Sequence, residues 1–289
     1  MAEKKDPYEA KDTGHEWDGI RELKNDPPGW WMTGGYISII FLIVYFVLYP
    51  SIPLVHGYTK GLLGWTQVDE YKSSLAEIMS VRAPFEEKIA KKSAKEILAD
   101  PQLSQFALAS AKAVFGDKCA PCHGSGGQGG PGFPTLADDE WVYGGTIEGI
   151  TESITGGRQG MMPAYKATLS EQEVNDLVAF ISGLNTGKAH DPGKAVFLGQ
   201  TAGQADCVTC HGEDAKGNPD VGGVNLTDKI WRFEGTQEGI KRTILHGVNQ
   251  EDDKETRKAL MPTFGGKLSE GQIKQLAVKV FMFGGGKKG

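Results

Sequence analysis

Cysteine is scarce in this chain. Its 289 residues hold four, and two short runs, KCAPCHGSGG (118–127) and DCVTCHGEDA (206–215), use them all. Whatever cysteine chemistry the protein performs belongs to those two runs. Positive charge is not in excess either: 31 Lys and Arg face 37 Asp and Glu, for a net charge of −6. Nucleic-acid binding therefore has no electrostatic support, and no nucleic-acid partner is expected. The C-terminal two thirds lack runs of alternating apolar and polar residues, which argues against a strand-built domain and for a mainly α fold. Glycine, by contrast, is abundant at 40 residues and clusters around the two cysteine runs. It lets backbone approach closely and suits loop-rich domains wrapped round something.

One stretch is free of charge altogether. Residues 30–49 read WWMTGGYISIIFLIVYFVLY, 20 positions without an Asp, Glu, Lys or Arg. That length spans a hydrocarbon core of about 30 Å. Trp30, Trp31 and Tyr49 stand at its ends, where amphipathic aromatics sit at membrane interfaces, and Pro50 and Pro53 stop the helix. A cleaved signal peptide fits less well, because the run is too long and no small-residue cleavage site follows it. The expectation is an uncleaved anchor, residues 30–53, in contact with the lipid bilayer. Charge does not orient it: Arg21 and Lys24 precede the span and Lys60 follows. Residues 54–103 read as a linker with helical pieces, since Leu75, Ile78, Met79, Ile89, Ile97 and Leu98 are sparse apolar positions, thin for a core.

Beyond residue 103 the chain repeats itself. Lys112-Ala-Val-Phe115 precedes the first cysteine run and Lys194-Ala-Val-Phe197 the second. A Trp follows a Leu at the same spacing in both copies, Leu136 to Trp141 and Leu226 to Trp231. MMPAYKATLSE (161–171) matches LMPTFGGKLSE (260–270), and an apolar-periodic helix closes each copy. Ser170 with Glu173, and Ser269 with Gln272, have capping-box spacing at the start of those helices. The interval from first Cys to Met-Pro is 43 residues in one copy and 54 in the other, and most of the excess is the charged loop 251–259. Two domains are expected, 104–187 and 188–289. Each runs helix, Cys motif, Gly-rich loop, short helix, Met-Pro turn, helix.

Each cysteine run carries CxxCH: Cys119, Cys122, His123 and Cys207, Cys210, His211. A thiol-redox pair wants a βαβ setting, which is missing. Zinc wants four ligands, and each copy offers three with no second CxxC. A structural disulfide leaves the His unexplained. The remaining reading is covalent c-type haem attachment. Two thiols three residues apart lie on one side of a helical turn, the adjacent His faces the iron, and the bound group holds together a domain with a marginal core. Two copies imply two haem c groups. Met raises the potential of an electron-transfer haem as sixth ligand, and Met162 and Met261, each before a proline, are the candidates. Met161 aligns with Leu260 and reads as apolar filler, as do Met32, Met79 and Met282 outside the repeat. His15, His56 and His190 read as bland. His246, present in one copy only, reads as a contact near the Met261 approach or as exposed.

The domains resemble class I cytochromes c, in which a proline carbonyl orients the haem-ligating His. The first copy has Pro134-Thr135-Leu136 in the matching place, while the second has Val224-Asn225-Leu226, a departure that predicts a less rigid loop. GHEWDGIREL (14–23), PPGWW (27–31), VLYPSIP (47–53) and GLLGW (61–65), with one span and two CxxCH domains, resemble over nearly the full length the CcoP/FixP subunit of cbb3-type cytochrome c oxidases. The resemblance implies two His/Met-ligated haems, one held by Cys119, Cys122, His123 and Met162 and the other by Cys207, Cys210, His211 and Met261. It also implies an electron-input subunit that is not itself the catalyst, since it lacks a set of transmembrane histidines. Its implied partners are a donor cytochrome c, a mono-haem cytochrome c subunit and the haem–copper subunit that reduces oxygen and pumps protons. Because CxxCH is loaded outside the bacterial cytoplasm, residues 1–29 are expected inside the cell and both domains in the periplasm, anchored to the inner membrane. Residues 105–190 carry five Lys/Arg against nine Asp/Glu, so an acidic face at Asp138, Asp139 and Glu140 is expected either to steer a basic donor or simply to be solvated. Two other roles fit a dihaem module: an input subunit of a different membrane enzyme, such as a dehydrogenase, or a haem-based sensor.

Overall fold

A computed structural model describes residues 11–24, 26–188 and 190–286, and divides into two compact units, residues 1–81 and 82–289. In the first unit β1 (Lys11–Trp17) and β2 (Ile20–Lys24) form an antiparallel hairpin, a feature absent from the sequence expectation. Its turn is Asp18-Gly19, both at positive φ, a hairpin signal that went unread among the polar residues. The helix α1 (Gly29–Leu48) follows and is exposed all round, as a helix solvated by lipid must be. Its two aliphatic hydroxyls are satisfied inside the helix: Thr33 donates to the Gly29 carbonyl and Ser38 to the Gly34 carbonyl, each at 2.9 Å. The short pair β3 (Pro53–Leu54) and β4 (Gly57–Tyr58) turns the chain back. The amides of Leu62 and Leu63 then cap the last carbonyls of α1, those of Val47 and Leu48, at 2.9 and 3.1 Å. Tyr49 and Trp65 pack edge to face beside this cap, with ring centroids 5.8 Å apart.

The helix α2 (Gln67–Lys91) leads into the second unit, which continues with α3 (Ala94–Ala99), α4 (Pro101–Lys118), α5 (Ala120–His123) and α6 (Ile147–Gly156). After β5 (Arg158–Gln159) come α7 (Glu171–Leu184), α8 (Asp191–Phe197), α9 (Val208–His211) and α10 (Gln237–His246). The chain ends in β6 (Leu260–Met261), which pairs with β5, and α11 (Glu270–Phe281). The expected capping boxes at Ser170 and Ser269 are both formed.

Two cores sit inside this unit. The first is built by α3, α4, α6 and α11, and Ile97, Leu103, Phe115 and Leu276 are at most 1% exposed in it. The second is built by α7, α8 and α10 around Leu177, Val196, Phe197 and Ile244. The closing helices have changed places. The helix that ends the first repeat, α7, packs in the second core, and α11, which ends the second repeat, packs on α4 and α6 in the first. Packing therefore crosses the boundary drawn at 187/188 from the repeat. The short link between α7 and α8, residues 185–190, keeps those successive helices side by side, the usual outcome for a brief connection.

The linker also departs from expectation. Ile89 and Ile97 are fully buried and Phe85 packs beside them, so residues 82–103 complete the first core rather than merely leading to it. Each such buried side chain contributes about 1.5–3 kcal/mol by leaving water. Their sparse spacing looked thin because the faces they cover, α4 and α11, lie elsewhere in the chain.

Candidate haem sites

Both CxxCH runs fold alike. The amides of Cys122 and His123 donate to the Cys119 carbonyl at 3.1 and 2.9 Å, and His211 donates to the Cys207 carbonyl at 2.9 Å. Each motif is thus a single helical turn with the His at its end. The loop after each turn folds back on a glycine, Gly129 with φ +72° or Gly217 with φ +87°. A Cβ there would lie 2.8 Å from the Thr135 amide nitrogen or 2.9 Å from that of Asn225, so only glycine allows the loop to close. Closure brings a carbonyl onto each imidazole. His123 Nδ1 donates to the Pro134 carbonyl at 3.0 Å, and His211 Nδ1 to the Val224 carbonyl at 2.9 Å. A carbonyl can only accept, so Nδ1 carries the proton and Nε2 keeps its lone pair free. Val224 accordingly serves as well as Pro134, because the bond uses the backbone and Gly217 closes the loop.

Burial lowers the pKa of both imidazoles, against the opposing effect of the carbonyl bonds, and keeps them neutral. Burial also pushes the Cys119 and Cys207 thiols up to about 11. These are not the low-pKa thiols of a redox pair, and no disulfide joins the four cysteines. No cluster of three His, Cys, Asp or Glu side chains arranged for a metal ion occurs among the described residues.

The methionines follow the exchanged helices. Met162 packs against the core that holds Cys207, and it lines a cavity of about 420 Å³ with Cys207, Cys210, His211, Leu226 and Trp231. Met261 packs against the core that holds Cys119. Backbone bonds fasten both crossings: Met162 exchanges amide and carbonyl with Val248 at 3.2 and 2.9 Å, while Met261 pairs with Arg158. The structure thus groups Met162 with His211 and Met261 with His123, the reverse of the pairing that the resemblance implied. The cause is the exchange of α7 and α11, each of which carries its Met-Pro turn with it.

The chain matches two protein families, the N-terminal domain of cytochrome oxidase-cbb3 FixP over residues 9–56, and cytochrome c oxidase, cbb3-type, subunit III, over residues 106–181 and 195–278. It is 40% identical over 282 residues to the cbb3-type cytochrome c oxidase subunit FixP of Azorhizobium caulinodans, covering 95% of this chain and 93% of that one. The subunit named CcoP of Azospirillum sp. is 39% identical, with 95% of each chain covered. The chain belongs to the FixP/CcoP family. It is therefore a membrane-anchored subunit of cbb3-type oxidase type, with two tandem cytochrome c domains and two covalently bound haem c groups.

The residues fit that group. Each motif offers two thiols on one turn, a neutral imidazole with its outer nitrogen free, and a methionine packed on the same core. Other members of the FixP/CcoP-type site differ from the sequence reading. Met161 is no core filler: it is 73% exposed, since its partner in the repeat, Leu260, is exposed as well. Met79 and Met282 are exposed too, and Met32 faces outward from α1. His190 pairs with Asp176 at 3.0 Å. His246 is buried and held by Asp253 at 2.8 Å, inside the charged loop of the second copy. The two residues just ahead of that loop reach toward the other methionine as well. Gln250 Nε2 donates to the Met162 carbonyl at 2.7 Å, and Asn249 Nδ2 to the Gly160 carbonyl at 2.7 Å. Their place ahead of Met261 in the chain concealed this. The acidic trio is only partly available: Asp139 is exposed, but Glu140 accepts from Asn225 at 3.1 Å and burial raises the Asp138 carboxyl.

Proposed function

We propose that this chain takes electrons from a donor cytochrome c and delivers them, by way of a mono-haem subunit, to the haem–copper subunit of a cbb3-type oxidase. Oxygen reduction and proton pumping take place in that subunit. One haem c is held by Cys119, Cys122 and His123 with Met261 as sixth ligand, and the other by Cys207, Cys210 and His211 with Met162. The observation that carries this reading is the pairing, in each core, of a neutral carbonyl-held His with a methionine delivered by the other repeat. When bound, the iron supplies reversible one-electron exchange. The chain's own residues hold that exchange to little structural change. Pro134 and Val224 fix the imidazoles, and the crossed backbone bonds at Val248 and Arg158 fix the methionines.

The helix α1 anchors the subunit in the bacterial inner membrane, with residues 1–29 cytoplasmic and the haem domains periplasmic, where CxxCH is loaded. Purification from membranes tests the whole reading. A band at 31.2 kDa that stains for haem, carries two haems per chain and travels with the other oxidase subunits is the expected result. A haem-free band, or one that travels with a dehydrogenase instead, overturns it.

A further inference from the structure

The first half of α2 carries an apolar stripe that lies bare. Val68, Tyr71, Leu75 and Ile78 recur at alternating steps of three and four, with Met79 beside them. At helical period the five fall within an arc of about 100°, one face of the helix. None is buried: exposure runs from 38% at Leu75 to 64% at Tyr71. The opposite face is polar, with Asp69, Ser73, Glu77 and Ser80. A contiguous exposed apolar face of this kind marks a surface meant to be covered. The same period shows what covering looks like further along α2, in the second unit. Phe85, one heptad after Ile78, stacks on Phe106 with ring centroids 4.9 Å apart, and Ile89 is fully buried. There the stripe packs on helices.

The bare half begins at the membrane. The amides of Leu62 and Leu63 cap the last carbonyls of α1, which holds residue 63 at the end of the span, and α2 starts at Gln67. Its flanks say what fits there. A lipid surface favours a helix whose polar face is rich in Lys and Arg, whereas this one sets Asp69, Glu70 and Glu77 against Lys72. A second copy, sharing the membrane orientation, would pair in parallel. Its flanks would then bring Gln67 against Lys72 and Ser74 against Met79, with no opposite charges, along a seam shorter than the three or four heptads that mark a coiled coil. A helix of a different anchored subunit, tethered in the same complex, needs no long seam, because tethering supplies effective concentration. Glu70 and Glu77, one heptad apart, set an acidic row along one side of the stripe, which basic side chains on that helix complement.

We propose that the face of α2 at residues 68–79 docks an apolar helix, flanked by basic side chains, of another membrane-anchored subunit of the oxidase. This rests on the oxidase reading above.

The test uses the full-length chain made with the rest of its complex and drawn from membranes by a tag on the haem–copper subunit. A photo-crosslinking residue in place of Ile78 joins this chain to another oxidase subunit, identified by mass spectrometry, and one in place of Ser73 does not. Tyr71→Glu with Ile78→Glu cuts the amount of this chain recovered with the tagged subunit about tenfold. Both haems stay bound in the membrane fraction, which separates lost docking from lost folding. Glu70→Lys with Glu77→Lys lowers recovery several-fold, and Ser73→Glu with Ser80→Glu leaves it unchanged. Should the Tyr71 and Ile78 variant fail to accumulate, the crosslink from position 78 decides. A crosslink from there to a second copy of this chain or to lipid alone overturns the proposal. So does wild-type recovery of either the Tyr71 and Ile78 or the Glu70 and Glu77 variant. A wild-type chain that travels with no oxidase subunit overturns the functional reading itself, and this proposal with it.

Discussion

The two haem cores start from one repeated design and end up built differently. The first is large: α4 is 18 residues long, and the linker adds Ile89 and Ile97 to it. The second has α8, only seven residues, in the place of α4, and gains instead two polar residues ahead of the charged loop, Asn249 on the Gly160 carbonyl and Gln250 on the Met162 carbonyl. One core is thickened by apolar helices and the other is fastened by hydrogen bonds. Apolar packing stabilises in proportion to the area buried, whereas the net contribution of one hydrogen bond is about 1 kcal/mol. The first core is therefore expected to be the more stable, and the second the more dependent on a few polar contacts around its ligand.

The largest effect that bears on this comparison comes from the methionines. Replacing Met261 with Ala should strip the sixth ligand from the haem at Cys119 and leave the haem at Cys207 six-coordinate, while Met162→Ala should do the opposite. Exogenous imidazole binding to the two haems, told apart by a single-thioether background, reads the result. A loss confined to the haem of the same repeat would break the crossed arrangement. Next comes Ile97→Ala, which removes a fully buried side chain contributed by the linker. It should cost the first core about 2–5 kcal/mol and leave the second nearly unchanged, as denaturant unfolding followed at each haem would show. Equal losses in both would mean that the cores unfold as one.

A smaller effect is expected from Gln250→Ala, which frees the Met162 carbonyl of one of its bonds. About 1 kcal/mol of restraint is lost, seen as several-fold tighter imidazole binding at the second haem only. The smallest concerns acid. Glu173 caps α7 and its pKa is held down to about 2, first by the Ser170 amide, which donates to it at 2.9 Å. The matching residue of α11 is the neutral Gln272. Since the folded pKa lies below the ordinary 4.5, this contribution is complete above pH 4.5 and fades as pH falls from there toward 2. Acid should thus loosen the start of α7 before that of α11, and Glu173→Gln should remove that difference. A variant in which the start of α7 keeps the wild-type acid profile would mean that Glu173 plays no part.

Much of each site was legible because it is local. CxxCH, five consecutive residues, forms one helical turn in both copies, which brings Cys119, Cys122 and His123 together. The apolar run at 30–49 and the capping boxes at Ser170 and Ser269 are likewise settled within a few residues. Val224 misled because its side chain differs from that of Pro134, whereas the function belongs to its backbone. Ile89 and Ile97 misled because a helix judged alone does not reveal what covers it. Gln250 gave no signal at all, since it acts on the half of the molecule that its place in the chain does not suggest.

By itself, the sequence determined the chemistry: one span, two haem attachments, two Met-Pro turns and the repeat that relates them. Each of these rests on residues a few positions apart, where bond geometry and helical period leave little choice. Only the tertiary structure decided which methionine meets which histidine. The two repeats present similar apolar faces, so α7 and α11 are each chemically acceptable to either core. The choice fell to the short link that holds α7 against α8, and to the long return that carries α11 back onto α4.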